Sequence, residues 1–334
     1  MIRKFKKDLL SEQIRNLADS IGIDALGFAE AAEFTDYALS DSRRRDPRIS
    51  LTDAKTIIVA GIYIGGSTLP AWTNAWYGRT SRLYLSEFFL DVVKPLEPIV
   101  NLLKNQGYKA IVCDDSKEDR SILPLKLAAI RAGLGWQGKH TLLISKKYGT
   151  FLALGGIITD ATLEYNTDQE PNRCHKCEKC QQACPLRALD QPYVLNRSNC
   201  LSNLLQIEHL PEEAQAVIEN RVGDCEICQE ACPWNKKHLD HPLATNMTES
   251  FQKKIEDWET FFFLPDLIDL SEEGYREKLG HLNTGIPYNL FHRNVLIAME
   301  RAKKVGEMAN RVAGGFSPPA PTPPGKRVRT GRFT

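Results

Sequence analysis

Eight of the nine cysteines fall in one part of the chain and form two closely spaced runs. The first run, Cys-x2-Cys-x2-Cys-x3-Cys-Pro, starts at Cys174, and the second, Cys-x2-Cys-x3-Cys-Pro, ends at Cys232 and Pro233. Cys200 stands alone between them. Thiols at these spacings, closed by Cys-Pro, are typical of proteins that bind two 4Fe–4S clusters. The pattern therefore predicts single-electron transfer.

Each iron–sulfur cube takes four thiolates, and the cysteine before proline binds the other cube of the pair. The second run lacks its opening cysteine, because Val222 occupies that place. We therefore expect Cys200 to replace it. The predicted ligands are Cys174, Cys177, Cys180 and Cys232 for cluster one, and Cys184, Cys200, Cys225 and Cys228 for cluster two.

Disulfides and zinc are the alternative uses of these thiols. Residues 1–10 are charged and lack the apolar core of a signal peptide, so an oxidising compartment is not expected. Zinc sites more often show well-separated Cys-x2-Cys pairs, and two zinc ions stay as the weaker alternative. Cys113 follows an apolar run and is predicted to be a buried strand residue rather than a ligand.

Length and charge limit the remaining function classes. The 334 residues are too many for a ferredoxin alone. The 43 Lys and Arg are nearly balanced by 42 Asp and Glu, so the protein has no large positive electrostatic field that would attract nucleic acid. No apolar run approaches the 18 residues or so of a membrane span. We expect a cytoplasmic protein that does not enter a membrane.

Strands and helices alternate through the first half of the chain, which predicts an α/β fold. The first predicted helix covers residues 8–21 and ends at Gly22. Residues 83–103 show a helical pattern in which a new helix starts near Pro95 and Pro98, and residues 124–132 form the third predicted helix. The predicted strands are 55–64, 108–113 and 151–159. The predicted domains are 1–165 (catalytic), 166–245 (clusters), 246–313 (helical) and 314–334 (a disordered, Pro-rich basic tail).

A glycine-rich stretch in the α/β part is the candidate electron acceptor site. Gly133, Gly135 and Gly138 would let a backbone approach a bulky ligand, and Trp136 offers a ring for stacking. A tight turn explains the same glycines equally well, so both interpretations stay open.

In combination, the motifs resemble the epoxyqueuosine reductase family over residues 20–300. The resemblance rests on Arg45-Asp46-Pro47 before a strand, Gly-Leu-Gly-Trp-Gln-Gly-Lys-His at 133–140, the two cysteine runs, and Arg293-Asn294. It implies a nitroreductase-like cobalamin-binding domain, a ferredoxin-like double 4Fe–4S domain and a helical C-terminal segment. The cofactor-binding residues that it implies are Gly133, Gly135, Trp136, Gly138, Lys139 and His140.

The resemblance also implies the reaction and the partners. Family members reduce the epoxide of epoxyqueuosine in tRNA to queuosine, and counting back from Gly133 gives Asp119 as the proton donor. A solvated loop acid is the alternative reading of Asp119. We expect an external low-potential electron donor and a monomer. Candidate tRNA contacts are Arg43, Arg44, Lys139, His292 and Arg293.

The sequence departs from the family pattern near the predicted acid, where Ile122 replaces a proline and Leu125 a glutamate. The family's Gly-Arg-Asp-Tyr-His stretch is reduced here to Gly78-Arg79 followed by Thr80. Two alternative functions therefore stay open. One is a reductive-dehalogenase-like or corrinoid-reducing enzyme with another substrate, and the other is an electron carrier.

Overall fold

The computed structural model describes most of the chain. The described residues are 2–35, 39, 42–68, 74–86, 93–113, 123–166, 168–243, 253, 262–279 and 286–313. The predicted disordered tail, 314–334, lies outside them.

The chain divides into two compact units, each built from separated stretches. The first unit comprises Met1–Ser67, Ser86–Asn196 and Ile227–Asn246. The second comprises Thr68–Leu85, Arg197–Glu226 and Met247–Thr334. The domain boundaries expected from the sequence stay a prediction.

The first unit is built around a four-stranded antiparallel sheet. The strands in chain order are β1 (Ala25–Glu30), β2 (Thr56–Tyr63), β3 (Ala110–Cys113), β4 (Trp136–Gln137), β5 (Leu143–Ile144) and β6 (Leu152–Thr159). The sheet has the order β1-β2-β6-β3, and β4 pairs with β5 in a two-stranded ladder. All three predicted strands are confirmed.

The centre of this sheet is apolar on both faces. Ile57, Ile58 and Val59 of β2 are fully buried, and Ile58 lies opposite Ile157 of β6. A continuous run of β-branched residues forms a strand that is buried on both sides. Cys113 is also buried, at the end of β3, as predicted.

Helices occur in both units. In chain order they are α1 (Ile2–Ser20), α2 (Pro47–Ser50), α3 (Val93–Asn105), α4 (Leu125–Arg131), α5 (Lys179–Ala183), α6 (Leu201–Leu204), α7 (Glu212–Val217), α8 (Ile227–Glu230), α9 (Lys236–Asp240), α10 (Leu264–Ile268), α11 (Glu272–Leu279) and α12 (Tyr288–Ala313), with 3₁₀ turns at Ser42–Arg44, Arg197–Asn199 and Pro233–Asn235. Among the described helices, none is long and apolar enough to cross a membrane.

Local sequence signals explain where these helices begin and end. Leu10, Ile14 and Ala18 of α1 are buried at intervals of four residues, which gives the helix one apolar face. Gly22 ends it with a φ of 82°, and Gly133 follows α4 with a φ of 75°. These left-handed conformations favour glycine, and both predicted helix ends are confirmed.

The second unit is held together by buried polar side chains as well as apolar ones. Asn294 of α12 is fully buried, and its amide donates to the carbonyls of Leu205 (3.0 Å) and Val222 (3.1 Å). This side chain ties the long C-terminal helix to the segment that carries Cys225. The predicted helical character of 246–313 is confirmed where the structure describes it.

Candidate functional site

The four cysteines predicted to hold cluster one lie together in the first unit. Cys180 is in α5 and Cys232 precedes the turn Pro233–Asn235; both are buried, whereas Cys174 and Cys177 are half-buried. Burial, together with the smaller effect of the nearby thiols of Cys174, Cys180 and Cys177, raises the pKa of the Cys232 thiol to about 11. A raised pKa means that the thiolate form is costly, and the positive charge of bound iron would offset the cost of forming four thiolates.

These thiols are not arranged around a single ion. Among the described residues, no three Cys, His, Asp or Glu side chains are grouped so that they could share one metal ion. A 4Fe–4S cube does not require such a group, because each of its four cysteines binds a different iron.

Backbone amides near the first set act on its thiols in the opposite direction to burial. The Trp234 amide lowers the pKa of Cys232 and the Gln181 amide lowers that of Cys180, but burial is the larger effect at both thiols. Four thiols that lie together are the donor set that a 4Fe–4S cluster requires. The first set therefore fits a 4Fe–4S cluster in its donor atoms.

The cysteines predicted to hold cluster two are divided between the units. Cys184 follows α5 and accepts a hydrogen bond from the Ala188 N–H (3.3 Å), and Cys228 lies in α8; both belong to the first unit. Cys200 precedes α6 and Cys225 follows Val222 in the second unit. All four are half-buried. Their grouping around one cluster stays a prediction.

Val222, which stands in place of the missing cysteine, is a core residue. It is fully buried, its N–H donates to the Arg79 carbonyl (2.9 Å), and its own carbonyl accepts from Asn294. A packed apolar side chain fills this position, and Cys200 as the replacement ligand stays a prediction.

The glycines of the 133–141 stretch are required by packing within the chain. A Cβ at Gly135 would lie 2.0 Å from the carbonyl oxygen of Ile144, and one at Gly138 would lie 2.4 Å from Cε1 of His140. Close packing accounts for both glycines, which is the tight-turn interpretation. Contact between this stretch and a cofactor stays a prediction.

Trp136 in this stretch packs beside the first cysteine set. It is 2% exposed and forms an apolar group with Ile144 and Cys232, against which Cys174 and Trp234 pack. Its ring meets the Trp234 ring edge-on at 4.8 Å between centroids. The residue predicted to face a cofactor thus contacts the surroundings of cluster one.

His140 is buried and neutral. Its Nδ1 accepts a hydrogen bond from the Leu142 N–H (3.2 Å), so the ring proton is assigned to Nε2. Burial lowers the pKa of His140 to about 4. Lys139 is buried beside it, and its carbonyl accepts from the Tyr193 N–H (2.9 Å).

Two buried nitrogens of the stretch have no hydrogen-bond partner among the described residues, Trp136 Nε1 and His140 Nε2. Buried donors are nearly always satisfied, so such atoms indicate a missing acceptor. The amide side chains of cobalamin carry carbonyl oxygens that would accept from a donor such as His140 Nε2–H. The stretch therefore fits this cofactor.

Other predicted contacts have different surroundings. Arg293 donates to the carbonyls of Ile207 (2.6 Å) and Glu208 (2.7 Å), and His292 bonds the Ile268 carbonyl (2.9 Å). Both therefore stabilise the second unit. Arg43 and Arg44 lie on the turn Ser42–Arg44. Asp119 lies outside the described residues.

Comparisons with known proteins identify the family. A family model for a 4Fe-4S double cluster binding domain matches residues 173–235. An epoxyqueuosine reductase from Lactococcus garvieae is 30% identical over 323 residues, covering 88% of this chain and 87% of the relative. The chain belongs to the epoxyqueuosine reductase family. A relative of the same name from Gloeobacter violaceus is 33% identical, covering 63% of this chain and 70% of its own length.

Solved structures agree with this assignment. A crystal structure of an epoxyqueuosine reductase with an epoxyqueuosine-modified tRNA-Tyr stem loop has a TM-score of 0.73 and 26% identity, and covers 88% of this chain and 82% of its own. Membership of the epoxyqueuosine reductase family confirms the predicted fold class and the oxidoreductase activity, and the double cluster domain confirms the two predicted 4Fe–4S clusters.

Sequence reasoning did not identify a buried ion pair beside Cys225. The Arg82 guanidinium contacts the Glu226 carboxylate, which also accepts from the Arg82 N–H (2.7 Å). Both side chains are at most 5% exposed. The two residues are far apart in sequence, so no local signal could have paired them.

Asn235 is a second residue that sequence reasoning missed. It is fully buried, accepts from the Thr150 N–H (2.8 Å), and donates to the Gln229 carbonyl (2.7 Å). It thereby fixes the helix of Cys228 and the turn after Cys232 to the chain before β6. Its place directly after Cys-Pro-Trp is the only sequence signal that pointed to it.

Proposed function

We propose that the protein reduces the epoxide of epoxyqueuosine in tRNA and so forms queuosine. The observation that carries this proposal is the similarity to an epoxyqueuosine reductase over 88% of the chain. The likeness to a family member crystallised with an epoxyqueuosine-modified tRNA stem loop supports tRNA as the substrate. The reaction consumes two electrons and two protons, and the epoxide oxygen leaves as water.

The cysteines supply the electron path. The two predicted ligand sets would each hold a 4Fe–4S cluster, and the clusters would pass electrons one at a time from an external low-potential donor. When bound, cobalamin supplies a reduced cobalt centre that reacts with the epoxide. Residues Gly133 to His140 would hold it, with the neutral His140 donating from Nε2 and thereby fixing its orientation.

The departing oxygen needs a proton, and Asp119 is the proposed donor. A carboxylic acid in this role must keep its proton near neutral pH, which burial in the complex with substrate would achieve. We further propose that the protein acts as a monomer in the cytoplasm, where reducing conditions preserve free thiols.

The test is the reaction itself. Protein reconstituted under anaerobic conditions with iron, sulfide and cobalamin is incubated with a chemical reductant and a tRNA stem loop that contains epoxyqueuosine. Nucleoside digestion and mass spectrometry should reveal queuosine, which has one oxygen atom fewer. If protein that contains both clusters and cobalamin leaves the nucleoside unchanged, the proposed substrate is wrong.

The Asp119→Asn variant tests the proton donor. It should retain iron and cobalamin but react roughly 10²–10⁴-fold more slowly, because a general acid contributes about that factor. Asp115→Asn is the matched control, since it removes a charge from the same acidic segment and should react at the normal rate. Normal turnover by Asp119→Asn would place the donor elsewhere.

A further inference from the structure

Trp136 carries a buried polar atom that the α/β part of the chain does not satisfy. The side chain is 2% exposed, and Nε1 has no hydrogen-bond partner among the described residues. The indole N–H can only donate, and leaving such a donor unpaired in an apolar environment costs about 1–3 kcal/mol. A protein that retains the donor is expected to provide an acceptor for it.

The surroundings of Trp136 limit what that acceptor can be. Its apolar group contains Ile144 and Cys232, with Cys174 and Trp234 packed against them. Within this group, the only side-chain atoms that can accept a hydrogen bond are the two cysteine sulfurs. Both cysteines belong to the set predicted to hold cluster one. Thiolates and sulfides of a bound cluster are anionic and accept far more strongly than a neutral thiol.

We propose that the indole N–H of Trp136 donates a hydrogen bond to a sulfur of cluster one and raises the reduction potential of that cluster. The bond stabilises the additional negative charge of the reduced state, which makes reduction more favourable. Trp136 is then a positioning residue that adjusts electron transfer and does not touch the substrate. The inference rests on the cluster-one part of the proposed function.

The first experiment measures the bond directly in the wild-type holoprotein. The protein is produced with tryptophan labelled with ¹⁵N in the indole ring only, both clusters are reconstituted, and cluster one is reduced for pulsed EPR. We expect a hyperfine coupling between an indole ¹⁵N and the reduced cluster, and the coupling should disappear in Trp136→Phe. Absence of the coupling from the wild-type protein would overturn the inference, and this result does not depend on any variant folding.

The second experiment measures the consequence by an EPR-monitored redox titration. Trp136→Phe keeps an aromatic ring but removes the N–H, so at a fixed solution potential the ratio of reduced to oxidised cluster one should fall about tenfold, equivalent to about 59 mV. Trp234→Phe is the matched control, because it removes an indole from the same apolar group and leaves the Trp136 N–H in place. Its potential should equal that of the wild type.

The outcomes separate this inference from the proposed reaction. An unchanged potential in a Trp136→Phe protein with full iron content would overturn it, as would an equal fall in Trp234→Phe. A protein that has the coupling but leaves epoxyqueuosine unreduced would refute the proposed substrate and support the role of Trp136.

Discussion

Mild acid should destabilise the protein through His140. The imidazole is 3% exposed, accepts the Leu142 N–H through Nδ1, and has a pKa lowered by burial to about 4. In the unfolded chain the same ring has a pKa of about 6.5. Between these values the unfolded state binds more protons than the folded state. The contribution of His140 to the free energy of unfolding is therefore fully present above about pH 6.5 and is lost as the pH falls toward 4.

The size of the effect follows from the two pKa values. Because the pKa of His140 falls from about 6.5 in the unfolded chain to about 4 in the folded one, acidification across this whole pH range lowers the free energy of unfolding by roughly 3 kcal/mol. Only part of this is lost between about pH 7.5 and pH 5.5, roughly 1 kcal/mol. For a folding unit of 150–250 residues, that loss lowers the melting temperature by roughly 2–4 °C.

The assay compares the wild type with His140→Asn, whose amide oxygen can still accept from the Leu142 N–H but does not titrate. Melting temperatures of both reconstituted proteins are measured without oxygen at the two pH values, and the visible absorbance confirms that the clusters are retained. Loss of the ring destabilises the variant equally at both pH values, so only the wild type should show the additional 2–4 °C or so. Identical pH dependence in the two proteins would refute a buried, neutral His140.

Three further substitutions test other parts of the structure. Cys200→Ala should halve the iron content from about eight atoms per chain, whereas Cys113→Ala should keep it; full iron in Cys200→Ala would contradict the ligand assignment. Glu226→Gln should reduce the free energy of unfolding by about 3–5 kcal/mol, because buried Arg82 loses its charged partner; denaturant unfolding measures this, and a loss below about 1 kcal/mol would contradict it. Gly135→Ala should cost about 3 kcal/mol in the same assay, because its Cβ would overlap a backbone carbonyl; a neutral effect would contradict the close packing.

Signals between neighbouring residues in the sequence were sufficient to predict the strands and the ends of the helices. The run Ile57-Ile58-Val59 is β-branched and apolar, and it forms the most buried strand of the sheet. Gly22 and Gly133 mark helix ends because their positive φ values favour glycine. These features depend on neighbours in sequence, and a single sequence contains that information.

Long-range features were not predictable in the same way. The order β1-β2-β6-β3 depends on which strands pair, and the two-residue strands β4 and β5 are too short to produce a periodic pattern. The pairing of Arg82 with Glu226 depends on the packing of the second unit. Cysteine spacing predicted Cys232 as a ligand of the first set, because Cys-Pro is part of a known ligand pattern. The structure places Cys174 against the apolar group that contains Cys232, and ligation stays a prediction.

The separation of Cys232 from the other three cysteines of its set has a consequence for biosynthesis. Cys174, Cys177 and Cys180 are translated close together, after the last strand of the sheet, and Cys232, the predicted fourth ligand, is translated 52 residues after Cys180. Under this ligand assignment, a nascent chain that ends before Cys232 cannot enclose a complete cube. Iron delivery would then follow translation of residue 232, and a messenger truncated before that codon would yield a chain with thiols open to oxidation.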